Sequence, residues 1–283
     1  MHASEITWGL EIETTLPGHD TTPIGGYHRG THVPYLPAGW KAERDASIKP
    51  QAPGRKGCEF VSPCLRGSEG LEQAMHAVDA INERGARVNH TCGLHVTVGF
   101  NGDAAALARL VSLVGNHEKG IYAATGTKRR ERNMYAKKIK AYGSHDHAKA
   151  NCERDRYHGL NLTHLARGRN RVEFRFFAAS LNKTKVAAYI MMCVGLVELA
   201  LEPMRCPGWT YTKRPGTKSL FDRGGEGESE LVRLFYRLAW TRGWYKGARR
   251  HACYGNIASD ATPSLREIKA KLTELARRYD SQP

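Results

Sequence analysis

The 283-residue sequence predicts an α+β fold, a largely antiparallel sheet packed on helices with a helical C-terminal part. Two observations carry this expectation. Short segments around residues 5–13, 94–100 and 171–177 alternate apolar and charged residues with period two, the mark of strands with one covered face. The segments between them repeat their apolar residues at helical spacing instead. No internal repeat or low-complexity linker divides the chain, so one domain is expected over 1–283, with its sheet core in about 5–200 and a helical extension in about 201–283.

In chain order, residues 5–13 predict a strand, and 17–57, rich in Gly, Pro and His, a long loop. Glu59-Phe60-Val61 predicts a short strand closed by Ser62-Pro63. Leu71, Met75, Val78 and Ile81 place one apolar face on a helix from Glu69 to Arg84, ended by Gly85. Leu94–Phe100 is the next strand and Ala104–His117 the next helix. Residues 125–158 are basic and polar, with a mobile loop expected at Gly143–His147. A strand over Arg171–Phe177 leads to a buried helix over Lys185–Leu201, followed by an amphipathic helix over Glu228–Thr241. Ser264-Leu265-Arg266-Glu267 reads as a capping box opening the last helix.

Composition narrows the functional classes. Apolar residues are 41% and charged residues 25%, which excludes a disordered tail, a collagen or a membrane bundle. The longest apolar run, Val186–Val197, stops at Glu198 and is too short to span a bilayer, so no membrane partner is expected. The acidic N-terminus lacks the apolar run of a signal peptide, and seven cysteines without small-scaffold spacing fit reduced thiols, so a cytoplasmic location is expected. The net charge of +15 is uneven: residues 1–127 hold 11 basic and 13 acidic side chains, whereas 128–175 hold 14 and 5. An acidic half suits cations and a basic half suits phosphates. The same imbalance also fits a nucleic-acid partner or a solvated basic face.

Three strands place their charges alike. Leu10 and Ile12 oppose Glu11 and Glu13; Leu94, Val96 and Val98 oppose His95 and Thr97; Val172, Phe174 and Phe176 oppose Glu173 and Arg175. A single Glu-x-Glu strand is usually a solvated face. Three strands with one split, sharing a sheet, instead gather three carboxylates, an imidazole and a guanidinium over a common floor. Such a face calls for cations, and oxygen-rich donors with one imidazole suit Mg²⁺ or Mn²⁺ better than zinc. Asp45 and Glu59 are the nearest further carboxylates, and Glu43 a weaker candidate.

Gly9-Leu-Glu11-Ile-Glu13, Asp45-Ala-Ser47, Gly57-Cys-Glu59-Phe-Val-Ser-Pro63, Cys92-Gly-Leu-His95-Val and Glu173-Phe-Arg175 follow one another as in the amidoligases, which the chain resembles over roughly residues 5–200. These are carboxylate–amine ligases of the glutamine synthetase and glutamate–cysteine ligase superfamily. The resemblance implies a glutamine synthetase-like half-barrel, with ATP and metal ions on its inner face, and amide or isopeptide bond formation through an acyl phosphate. It implies that Glu11, His95 and Glu173 bind a metal at the phosphates. Glu13, Glu59 and Asp45 would bind a metal near the acyl group, and Arg175 would contact the transferring phosphoryl. Glu59, Glu173 and Arg175 are the implied catalytic residues. After Glu173-Phe-Arg175 the family often has Gly-Thr, whereas this chain reads Phe177-Ala178-Ala179-Ser180.

Other residues carry weaker expectations. Arg130 and Arg132, in a run with Arg129, Lys137, Lys138 and Lys140, are candidates for ATP phosphates or an acidic substrate, or form a solvated helix face. Arg156 and Asn161 are placed near substrate. His145, His147, Cys152 and His158 match no zinc spacing; Cys58 and Cys92 read as packing residues, and Trp8, Trp40, Trp209, Trp240 and Trp244 as core or subunit contacts. The partners expected are a small-molecule or peptide carboxylate and an amine, with homo-oligomerisation open by analogy. The alternative reading is a basic nucleic-acid-binding protein, or a metal-dependent nuclease or nucleic-acid-modifying enzyme using Glu11, Glu13 and His95.

Overall fold

The computed structural model describes residues 3–201, 226–240 and 257–283. Within them lie seven strands and eight helices. The strands are β1 (Trp8–Pro17), β2 (Thr31–His32), β3 (Lys41–Glu43), β4 (Arg55–Val61), β5 (Gly93–Gly99), β6 (Leu160–Asn161) and β7 (Arg171–Ala178). The helices are α1 (Gly67–Glu83), α2 (Ala104–Ala123), α3 (Lys128–Glu131), α4 (His145–Arg154), α5 (Thr163–Ala166), α6 (Lys183–Leu201), α7 (Gly227–Arg237) and α8 (Leu265–Asp280). The strands form one open sheet in the order β2-β3-β4-β1-β5-β7-β6, and every pairing is antiparallel.

One face of this sheet is the core. Leu10, Ile12, Phe60, Leu94, Val96, Val172 and Phe174 are all buried, and burying each such side chain is worth about 1.5–3 kcal/mol. Helix α6 covers them, with Tyr189 stacked on Phe177 at a centroid distance of 4.1 Å. By length and composition α6 could cross a membrane, but 83% of its apolar window is buried within the fold. Helix α2 packs on α6 and α7, and Gly120 is required there: a Cβ would come within 2.8 Å of the Glu230 backbone. This tertiary contact carries α2 beyond the expected end at His117 to Ala123.

The expected helix ends are present. Gly85, at φ +69°, follows α1 and donates its N–H to Asn82 O, and Ser264 and Glu267 form a reciprocal capping box at α8. Two expectations change. The long loop over 17–57 contains β2 and β3 and the start of β4; with one buried apolar residue, Ala42, β3 is too short to show alternation. The segment expected as a mobile loop at Gly143–His147 opens α4 instead. Gly143 turns the chain at φ +70°, Ser144 accepts a hydrogen bond from the His147 N–H, and Ala148 and Cys152 bury the inner face. The amphipathic helix expected over 228–241 is α7, ending at Arg237; residue 241, Trp209 and Trp244 lie outside the described residues, while Trp8, Trp40 and Trp240 are core.

Candidate active site

The face of the sheet opposite the core carries the charges, and strand register decides which of them meet. Glu13 pairs with Glu59 across β1–β4, and Glu59 with Glu43 across β3–β4, so three carboxylates form a row. One turn of the pleat away, Glu11 pairs with His95 on β5. Between β5 and β7 the register shifts, with Leu94 opposite Phe177 and Val96 opposite Phe174, so His95 alone faces Arg175 and Phe176. This bulge brings Arg175 Nη1 to 3.5 Å from His95 Nδ1.

The resulting floor is dense. His95 Nδ1 lies 3.2 Å from Glu11 Oε2 and 3.6 Å from Glu173 Oε1, and its Nε2 lies 3.7 Å from Glu13 Oε1. Arg175 Nη1 donates to Glu173 Oε1 at 2.5 Å, while Asn161 Nδ2 donates to Glu173 Oε2 at 2.6 Å. The Gly93 N–H donates to Glu13 Oε2 at 2.6 Å, and a Cβ on Gly93 would sit 2.9 Å from both Arg130 Nη2 and His95 Nε2. Asp45 reaches in from the loop after β3, its Oδ1 held by the Ser47 N–H at 2.6 Å.

Two groups on this floor have the geometry of metal sites. One ligand atom each from Glu11, Glu59 and His95 lies within 4.8 Å of the others, and so do atoms of Glu13, Asp45 and Glu59. Glu59 belongs to both. The second trio consists of the three residues that the family resemblance implies for one metal. In the first, Glu59 stands where Glu173 was expected, because Arg175 and Asn161 already hold Glu173. Among the described residues no such group includes His145, His147, Cys152 or His158: His145 Nε2 meets Ser112 Oγ, and His158 Nε2 meets the Tyr142 hydroxyl.

Electrostatics show what the floor requires. Burial first, and then Glu11, Glu13, Asp45 and Glu43, push the Glu59 carboxyl up to about 10. Burial also raises Glu11, against the pull of Arg175. His95 is held down to about 4 by burial and by Arg175, so its imidazole is neutral at pH 7 and able to ligate a metal. Two like charges about 4 Å apart repel by roughly 4 kcal/mol at an effective dielectric of 20, so ionising the whole cluster demands cations. Oxygen donors with one neutral imidazole match Mg²⁺ or Mn²⁺.

Above the floor opens a cleft of about 930 Å³, whose lining includes Glu11, Glu59, His95, Glu173, Arg175 and Asn161. Arg156 lies on its rim, with both Nη atoms 3.4 Å from the Tyr27 hydroxyl. Two expected phosphate contacts lie elsewhere. Arg130 is buried at the edge of the floor beside Gly93 and His95, outside the cleft lining, and donates from Nη2 to the Arg175 carbonyl at 2.7 Å, its pKa lowered to about 10 by burial. Arg132 lines two separate hollows and donates to the Pro283 carbonyl at 3.0 Å. Cys58 and Cys92 are buried thiols; burial pushes Cys58 up to about 12 and raises Cys92, so neither is a ready nucleophile. The sequence reading missed Tyr27, His164, Arg167, Arg169 and Arg171, all of which line the cleft. Arg171 had a legible signal, two residues before Glu173 on the same strand face; His164 sits on the four-residue helix α5 and the others on turns and loops.

Comparison with known proteins bears on the family of the chain. No curated protein matches the chain. A protein-family model described as "Putative amidoligase enzyme" matches residues 5–150 and 140–197, a span that includes every residue of the floor. The chain therefore belongs to the amidoligase family of ligase-type enzymes.

Proposed function

We propose that the cleft joins a carboxylate to an amine at the expense of ATP, with Mg²⁺ or Mn²⁺, on a sheet of glutamine synthetase-like half-barrel form. The observation that carries this reading is the convergence of Glu11, Glu13, Asp45, Glu59 and His95 into two ligand groups sharing Glu59, beside the Glu173–Arg175 pair. A carboxylate is a poor electrophile. Its oxygen attacks the γ-phosphorus, ADP departs, and the acyl phosphate formed is then attacked by the amine with release of inorganic phosphate. Divalent ions, when bound, would supply neutralisation of phosphate charge.

The protein's own groups do the rest. Glu11, Glu59 and His95 would hold one ion, and Glu13, Asp45 and Glu59 the other. Arg175 presents a planar guanidinium held by Glu173 Oε1 and by the carbonyl of Tyr135 at 3.5 Å from Nε, while Arg130 donates to its backbone carbonyl. A group so restrained is set to meet charge developing on a transferring phosphoryl without reorganising. Asn161 fixes the second oxygen of Glu173 and so the orientation of the pair. An amine attacks only when neutral, and the floor carboxylates supply acceptors for the proton the ammonium loses.

The test is ADP release with Mg²⁺, screened over amino acids, polyamines and short peptides. ADP should appear only when a carboxylate and an amine are both present, and Glu11→Ala and Glu59→Gln should each lose about 100-fold or more. Equal turnover in wild type and both variants would remove the site assignment.

A further inference from the structure

The cleft is bipolar. Its floor is acidic and buried, while Arg156, Arg167, Arg169 and Arg171 line it as exposed residues. Among the described residues no carboxylate pairs with Arg167, Arg169 or Arg171. Arg167 and Arg169 come from one tight turn, where Gly168 lies at φ +73° and both N–H groups return to the His164 carbonyl, and Arg171 opens β7 directly after it. Arg169 and Arg171 act together on His164, helping burial to lower its pKa. Exposed aromatic rings flank Arg156. Tyr27 is 49% exposed and lies tilted against the His28 ring with centroids 3.8 Å apart; Arg156 touches the Tyr27 hydroxyl and lies 5.4 Å over the ring of Tyr157, itself in edge contact with Tyr135.

Unpaired guanidinium groups beside exposed aromatic rings are the chemistry that holds a polyanion with flat, stackable units. An acidic peptide would use the arginines but leave Tyr27 and Tyr157 idle. The acidic floor repels a polyanion, which keeps it at the mouth and leaves the floor to metal ions. We propose that this wall binds single-stranded nucleic acid, its phosphates on Arg156, Arg167, Arg169 and Arg171 and its bases on Tyr27 and Tyr157. The strand thus lies across the opening of the cleft assigned above to ligation, and the proposal rests on that reading only for what the bound strand is for.

Fluorescence anisotropy of a labelled 20-nucleotide single strand, RNA and DNA in turn, tests it on the full chain without ATP, so the result is independent of ligase turnover. Binding should weaken steeply with salt. The R167A/R169A/R171A variant should lose about tenfold or more in affinity and reduce the log–log salt slope by about 2. Tyr27→Ala should lose about 5- to 100-fold with the slope unchanged. Lysine at the three arginine positions should keep most of the slope, which separates charge from fold. Absence of binding at 50 mM salt, wild-type affinity in the triple alanine variant, or tighter arginine-dependent binding of polyglutamate than of either strand would each overturn the proposal. A duplex bound as tightly as a single strand, with Tyr27→Ala unaffected, would overturn the stacking role and the single-strand assignment with it.

Discussion

On the floor of the cleft Glu13, Glu59 and Glu173 are each 5% exposed, whereas Arg167, Arg169 and Arg171 at its mouth stand in solvent. Floor residues lie on β1, β4, β5 and β7, where neighbours in register lock each side chain to a partner. Arg167 and Arg169 lie on a turn and Arg171 at the first position of β7, and among the described residues no carboxylate pairs with their charges. The same kind of group therefore has opposite energetic status in the two places. A charge on the floor is held by the fold against desolvation, so removing its partner leaves a buried ion exposed to that cost. A charge at the mouth costs the fold little and is free to meet a ligand.

Comparing one alanine substitution in each region gives the largest expected contrast. Glu173→Ala strips Arg175 of its 2.5 Å partner, both side chains being under one-tenth exposed, and frees Asn161 as well. Breaking such a pair from one side costs about 3–5 kcal/mol. Arg169→Ala at the mouth should change stability by less than about 0.5 kcal/mol. Urea unfolding of both variants measures this directly, and similar losses would erase the distinction between floor and mouth.

The same division explains what could be read in advance. Period-two alternation around Glu11, Glu13, His95, Glu173 and Arg175 reports which side of a strand each residue takes, and a sheet then does the assembling. That is why the floor was legible. Register was not: nothing in the local pattern says that Glu59 lies opposite Glu13, or that a bulge turns His95 toward Arg175. Arg130 and Arg132 belong to one basic run, yet one is buried at the edge of the floor and the other points to the chain's C-terminal residues, because a four-residue helix, α3, sends neighbours in different directions. Apart from Arg171 on β7, the mouth arginines sit on loops and turns, whose side chains converge through tertiary placement alone. The extra length of α2 depended on Gly120 meeting α7, a contact far away in sequence.

A smaller effect is expected where mouth and floor touch. Gly159 follows Tyr157 closely in sequence and packs flat on β7: the Arg175 N–H donates to its carbonyl at 2.7 Å, and a Cβ would come 2.2 Å from the Phe176 ring. Phe176 is fully buried and cannot swing aside, so Gly159→Ala should cost about 1–3 kcal/mol by overpacking. Gly26, beside Tyr27, has open space at the same position, and Gly26→Ala should be close to neutral. Thermal melts of the two variants test whether the turn segment is seated on the floor or merely near it; equal melting temperatures would show it is not seated.

The narrowest prediction concerns the strut between the two regions. Glu118 on α2 is buried and accepts the N–H of Ile139 at 2.7 Å and that of Lys140 at 3.2 Å. The segment it holds exchanges backbone bonds from Lys137 with Tyr157 and Gly159, and its Tyr135 carbonyl faces Arg175 Nε. Burial raises the Glu118 carboxyl from 4.5 to about 7, against the hydrogen bonds from Ile139 and Lys140 that lower it. A raised acid binds its proton more tightly in the folded state, so its contribution is complete below pH 4.5 and is lost as pH climbs to about 7. Such a shift corresponds to roughly 3 kcal/mol across that window. Glu118→Gln, which stays neutral, removes this dependence at the cost of one acceptor. The unfolding free energy of wild type minus variant should therefore fall as pH rises from 4.5 to 7 and be flat above it. A difference that does not vary with pH would mean that Glu118 stays ionised beside Lys138 and Lys140, and that the segment joining mouth to floor is held by charge and not by a shared proton.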